Sequence, residues 1–441
     1  MTTLDLDRFA TDNNITTNER LVFALRQVYT SVPAIASLVS TKLISADPER
    51  IAYCDRELAS FFDDLGNSFQ DSFDGVRNAI SNGDLLATKP TSGDLRGVWS
   101  GMPAIVLGAG PGASVRWDAI KASRGHAILI VCDVMLVGCL ERGIVPDFVA
   151  AVERVPQIYD TIKGLPCAPT ALLCPMVVER RVVDEFGARV IWCWRGGGIE
   201  HFAGPQVPRN NFGRSSGTVG IGAALLAGCS PVYLVGHDLC MQGDKTHAAG
   251  AHTLTESTKD WMRDQFDDNH IPLPGKAMSG RDVTTIGFWQ LLKRDIEYIA
   301  KEHPAQTVIN TGDGLQINAT SHGELPSSWG ETVTIPTINP TFPVKNLRKL
   351  LPIMLSDITS IDKRCREIIA ADVPDAERCR LTTMVDPETA GIWAEIYGST
   401  YAAALIRLHL QPEQHHAMLK RVANTVLQTL PNVRASLEAI A

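Results

Sequence analysis

Between residues 101 and 330 seven short apolar runs recur: "PAIVLGAG", "HAILIVCD", "PDFVAAVE", "TALLCPM", "RVIWCW", "PVYLVGHD" and "QTVINTG". Each is of strand length, and most read apolar on both faces. Such strands need cover on both sides, which is the situation of parallel strands between helical layers. Helical stretches fit between them: "VMLVGCLERG", "VPQIYDTIKG" and "SSGTVGIGAALLAGC". The alternation predicts an α/β fold with a central doubly wound, Rossmann-like, mostly parallel sheet. Ligands of such sheets bind beyond the carboxyl ends of the strands.

The two ends of the chain read differently. "NERLVFALRQVYTSVPAIASLV", "DRELASFFDDLGNSFQDSFDGVRNAI", "NLRKLLPIMLSDITSIDKRCREIIAA" and "PEQHHAMLKRVANTVLQTLPNVRASLEAI" space their apolar residues three and four apart, as helices do. With 441 residues the chain exceeds one ordinary core. We expect an N-terminal helical region over 1–97, a Rossmann-like domain over 98–335 and a C-terminal helical region over 336–441. The turn-rich "NGDLLATKPTSGDLRG" marks the first boundary.

A net charge of −8 gives no reason to expect nucleic acid as a partner. No stretch suits a membrane span, and the first residues lack the basic and apolar regions of a secretory signal. Ten cysteines without a C-x-x-C, several inside apolar runs, predict buried reduced thiols and a cytoplasmic protein.

Chemistry concentrates at the predicted strand ends. Gly108, Gly110 and Ala113 fit G-x-G-x-x-G/A, and Asp133 ends the next run about 20 residues on, the spacing of a dinucleotide site. An adenosylmethionine loop fits as well. In either case the backbone of Gly108, Ala109, Gly110, Pro111 and Gly112 comes close to an anion, with Pro111 opening a helix. "GHDLCMQGDKTHAAGAH" brings His237, Asp238, Asp244, Lys245, Thr246 and His247 to one strand end. Lys245 suits a phosphate, and His237 or His247 suits proton transfer. Ser215 or Ser216 caps the Gly- and Ala-rich helix after Gly217, with Arg214 just before it as a phosphate partner. Glu153 suits a sugar or ribose hydroxyl. Asp147 reads as a turn residue, Thr284 or Thr285 as a helix cap, and Asn310 and Thr311 as the end of a strand bordering the same cleft. No P-loop motif is present, and the only D-x-D, Asp5-Leu6-Asp7, lies at an end expected to fray. We therefore expect no metal site and no tightly bound cofactor.

Taken in order, "PAIVLGAGPG", "VCD", "GIVPDFVAAVE", "SSGTVGIGAALLAGCSPVYLVGHDL" and "GDKTHA" resemble the motility-associated factor (Maf) family of flagellin glycosyltransferases over about residues 98–320. That family shares a domain with archaeal 6-hydroxymethylpterin diphosphokinase-like proteins. The resemblance implies transfer of a nonulosonic acid, pseudaminic or legionaminic, from a CMP donor to serine or threonine hydroxyls of flagellin, free or chaperone-bound. It implies a metal-independent donor site at Gly108–Gly112, Asp133, Glu153, Ser215–Gly217 and Thr246. His247, His237, Asp238 and Lys245 would be the catalytic groups. Two departures stand out: Gly112 replaces a family serine, and His237 stands where glutamine is common. Competing readings are an ATP-dependent pyrophosphotransferase using Asp133, Glu153 and Asp238 with Mg²⁺, a non-enzymatic nucleotide-binding assembly factor, and an NAD enzyme or methyltransferase.

Overall fold

The structure is a computed structural model. It describes residues 3–12, 16, 18, 21, 42–51, 54, 69–194, 198–203, 212–243, 247–248, 251, 272–371, 384–393, 396–397 and 415–440. The chain divides into two compact units: residues 1–83, 196–203 and 346–441 form one, and residues 84–195 and 204–345 the other.

In the first unit, β1 (Thr3–Asp5) pairs in parallel with β2 (Lys42–Ile44). The Asp5-Leu6-Asp7 stretch is thus ordered rather than frayed. Asp5 Oδ1 accepts the N–H groups of Asp7 and Arg8, both at 3.1 Å, and so caps the helix Leu6–Asp12. Asp7 is paired with Arg50 at 2.6 Å. The expected helix over 18–39 lies outside the described residues apart from 18 and 21. The helix Leu351–Ala370 packs against the helix His415–Glu438. It buries Met354, Ile358, Ile361, Cys365 and Ile368, the three- and four-residue spacing of a core-facing stripe. Asp357 on the same helix is buried but satisfied: it accepts Trp393 Nε1–H at 2.8 Å, the Asp386 N–H at 2.9 Å and the Thr389 hydroxyl.

The second unit holds one parallel sheet of eight strands. Its strands are β3 (Ala104–Leu107), β4 (Ile128–Cys132), β5 (Phe148–Ala150), β6 (Ala171–Cys174), β7 (Val190–Trp192) and β8 (Val232–Val235). After a separate antiparallel hairpin of β9 (Pro272–Lys276) and β10 (Asp282–Ile286) come β11 (Val308–Asn310) and β12 (Ser321–His322). The spatial order is β12-β11-β8-β3-β4-β5-β6-β7. The seven apolar runs supply seven of these strands; the exposed two-residue β12 is too short to carry a pattern. Val106 of β3 pairs with Ile130 on one side and Leu234 on the other, all buried. Each such side chain contributes about 1.5–3 kcal/mol on burial. That outweighs the roughly 0.5–1 kcal/mol that a glycine in the following loop costs in chain entropy.

The helix Ser216–Leu226 lies flat on this sheet. A Cβ at Gly220 would come 3.0 Å from Val106 Cγ1 and 3.1 Å from Ile130 Cγ2, so the small-residue face is a packing face. Two expected elements differ. The segment read as a helix at 155–164 is a 3-10 turn, Pro156–Thr161, whose Ile158, Tyr159 and Thr161 are indifferent helix formers. Thr284 and Thr285 lie in β10 and do not cap a helix; Thr285 Oγ1–H donates to the Leu239 carbonyl at 2.8 Å. Their β-branched neighbours Val283 and Ile286 favour the strand. The helix Gly287–Glu302 then opens with no side-chain cap.

Candidate functional site

From β3 the chain runs sideways through β4 to β7, then returns to lay β8 on the opposite side of β3. The loops leaving β3 and β8 therefore open at the point where strand order reverses, the place where doubly wound sheets bind ligands. "GAGPG" and "GHD" are those two loops. They meet, and their contact is close.

Gly108 N–H donates to the Val235 carbonyl at 2.8 Å, and Gly110 N–H to the Gly236 carbonyl at 2.8 Å. Gly112 N–H donates to Asp238 Oδ2 at 2.9 Å, and Ala113 N–H to the Gly110 carbonyl at 3.1 Å. Pro111 has no N–H. Of the amides from 108 to 113, only that of Ala109 lacks an acceptor among the described residues. Pro111 also opens a 3-10 turn, Pro111–Val115, followed by a six-residue helix, Trp117–Ala122. The expected helix behind the loop is therefore too short to add a strong dipole. Gly236 takes φ +69° and Leu239 φ +49°. The second is a strained left-handed value for a non-glycine residue, found where the loop turns Asp238 toward its partners.

Asp238 is buried, accepts Gln242 Nε2–H at 3.1 Å as well as Gly112 N–H, and has its pKa raised by burial. Arg116, seventeen per cent exposed, gives one guanidinium nitrogen to the Gly112 carbonyl at 3.0 Å. The other reaches the Thr311 carbonyl and Glu324, the latter at 3.3 Å. Sequence reading did not single out Arg116. The available signal was its place four residues after Gly112, the first cation beyond the loop. Asn310 closes the far side: it is fully buried, its Oδ1 accepts Gly312 N–H at 3.1 Å, and its Nδ2 has no partner among the described residues.

His237 stands behind the loop. Its Nδ1 lies 3.2 Å from the Val235 carbonyl, which places the ring proton there and leaves Nε2 an acceptor. Nε2 is buried without a partner among the described residues. Burial lowers the His237 pKa to about 4. The ring is therefore neutral near pH 7 and a poor proton acceptor, unlike the base expected from the sequence.

A second group gathers at the ends of β4 and β5. Asp133 is buried; its carboxylate accepts Val134 N–H at 3.0 Å and hydrogen-bonds the Ser216 side chain. Burial first, and then the charge of Glu153, raise its pKa to about 7. Glu153 is exposed and lies three residues beyond β5 rather than at its end. Ser215 is the N-cap: its Oγ accepts Thr218 N–H at 3.2 Å in a capping box. Arg214 is paired with Asp295 at 3.1 Å. Asp147 pairs with Arg124 at 2.7 Å and accepts Leu129 N–H at 2.8 Å, an ion pair at the opposite edge of the sheet. His247 is exposed, and the next residue, Ala248, donates its N–H to the Ala109 carbonyl at 2.8 Å. Asp244, Lys245 and Thr246 lie outside the described residues. The nine described cysteines are buried, and none of them forms a disulfide.

Two comparisons with known proteins bear on this fold. The 6-hydroxymethylpterin diphosphokinase MptE-like family profile matches residues 77–244, so this segment is similar to that family. The solved structure of a Maf glycosyltransferase from Magnetospirillum magneticum AMB-1 superposes with TM-score 0.54 at 15% identity, over 96% of this chain and 70% of that one. The family resemblance read from the motifs is borne out in both respects, in the domain and in the α/β fold. No curated protein sequence matches the chain. Among the described residues no helix is long and apolar enough to cross a membrane.

Proposed function

We propose that this protein is a glycosyltransferase. In this reading it moves a nonulosonic, sialic-acid-like sugar from a CMP donor to serine or threonine hydroxyls of flagellin, in the cytoplasm. One observation carries the reading: the likeness to the Maf glycosyltransferase extends over 96% of the chain, far past the MptE-like segment 77–244. A pterin alcohol is small and gives the helical unit nothing to do, whereas a protein acceptor does.

The residues supply these roles. Asp133 and Glu153 accept hydrogen bonds from donor hydroxyls, with Ser216 orienting Asp133. The donor phosphate lies at the Ala109 amide, with Lys245 and Thr246 as the phosphate partners that the sequence offers. His247, held beside the loop by the Ala248–Ala109 bond, is the candidate base for the acceptor hydroxyl. General-base help of this kind is typically worth about 10²–10⁴-fold.

The MptE-like match keeps a second reading in play, pyrophosphate transfer from ATP. Thermal shifts with CMP, ATP plus Mg²⁺, NAD and adenosylmethionine separate the two. Stabilisation by CMP alone is the expected result. A Mg²⁺-dependent shift with ATP and none with CMP overturns the proposal.

A further inference from the structure

The anion seat that a glycine loop usually offers to a ligand is already taken here by a side chain of the same protein. We propose that Asp238 sets the charge of the donor. Its carboxylate, seated on the Gly112 amide, admits a donor with a single phosphate and disfavours diphosphate and triphosphate ligands. This rests on the CMP-donor reading and narrows it.

The carboxylate is enclosed. Oδ2 accepts Gly112 N–H at 2.9 Å, Oδ1 accepts Gln242 Nε2–H at 3.1 Å, and the Asp238 carbonyl accepts Leu315 N–H at 2.7 Å. A Cβ at Gly112 would lie 2.6 Å from Oδ1 and one at Gly312 3.2 Å from it; one at Gly110 would overlap Oδ2. Glycines therefore wall the group on several sides, and it has little freedom to swing away. The nearby cation, Arg116, is shared with the Gly112 and Thr311 carbonyls and with Glu324. It does not stand free to neutralise a second phosphate.

A dinucleotide loop works the other way: its amides are left open so that a pyrophosphate can sit on them. Here Gly108, Gly110 and Gly112 all donate within the protein. Each added phosphate would meet the fixed charge of Asp238 at close range, and like-charge juxtaposition is strongly unfavourable. The same arrangement accounts for Gly112 in place of a serine, since a side chain there would collide with the carboxylate.

The test is titration calorimetry with CMP, CDP and CTP, repeated with AMP, ADP and ATP, on the full chain without added metal. Wild type is expected to bind the monophosphate at least about tenfold tighter than the triphosphate. Asp238→Asn should shrink that ratio by strengthening triphosphate binding. Gln242→Glu, an exposed position that adds a second charge beside Oδ1, should widen it. A wild type that binds triphosphate as tightly as monophosphate overturns the inference even where Asp238→Asn does not fold. So does a ratio unchanged in both variants, or no binding by either series. A monophosphate preference that both variants shift, seen with adenine but not cytosine nucleotides, supports the role of Asp238 and removes the CMP donor.

Discussion

The imidazole of His237 abuts Gly217: a Cβ at position 217 would lie 2.9 Å from Nε2 and 3.4 Å from Cδ2. The first turn of the helix Ser216–Leu226 thus needs a residue without a side chain, because the ring two residues beyond β8 occupies that space. Alanine normally favours a helix over glycine by about 1 kcal/mol. Gly217→Ala is expected to reverse that sign and cost roughly 1–3 kcal/mol through overpacking. Urea unfolding measures it; a stabilised variant would mean that the ring gives way freely.

His237 also gives the protein a pH limit. Its folded pKa is about 4 against an ordinary value of 6.5, so the unfolded chain binds the proton more readily between those values. The stability gained by keeping the ring neutral is full above pH 6.5 and is lost as pH falls toward 4. His237→Gln removes this contribution, and its melting curve should fall less steeply over that window. Parallel curves for variant and wild type would show that the ring is not held neutral.

Asp133 acts with the opposite sign. Its folded pKa is raised from 3.8 to about 7, so the folded protein holds the proton that the unfolded chain releases. The resulting destabilisation grows as pH rises from about 4 to about 7 and is constant above. Asp133→Asn should therefore be more stable than wild type at pH 8, by an amount on the order of a few kcal/mol, and lose that advantage near pH 4. Weaker CMP binding is expected in the same variant, since a donating NH2 replaces one of the two carboxylate oxygens that accept from donor hydroxyls. An Asn variant that is no more stable at pH 8 would place the ionised carboxylate in the folded state without strain.

A serine at position 112 tests the packing of the two loops. With a Cβ 2.6 Å from Asp238 Oδ1, Gly112→Ser should lower stability by about 1–3 kcal/mol. Pairing it with Asp238→Ala should return part of the loss, a coupling that a double-mutant cycle reads directly. Strict additivity would mean that the serine and the carboxylate do not meet.

The parallel sheet was legible because its strands are apolar on both faces, a pattern set by local sequence. The clustering of "GAGPG" with "GHD" was legible from topology, since both end strands of one sheet. What those loops do to each other was not. The Gly112–Asp238 bond joins residues 126 positions apart, and no local signal says whether an amide faces a ligand or a carboxylate. Burial of His237 was hidden for the same reason: its titration depends on Gly108 and Gly217 closing over the ring. Arg116 escaped notice because it follows the motif instead of belonging to it. The short turn at Pro156–Thr161 shows the limit of helical spacing when the residues are poor helix formers.

The central claim is sugar transfer, and the most direct measurement is mass spectrometry of flagellin incubated with the purified protein and a CMP-activated nonulosonic acid. The account predicts a mass increase of one or more nonulosonate units on serine or threonine, dependent on the CMP donor and slowed by about 10²-fold or more in His247→Ala. Unmodified flagellin with the CMP donor, together with pyrophosphate transfer from ATP by the same preparation, would contradict it.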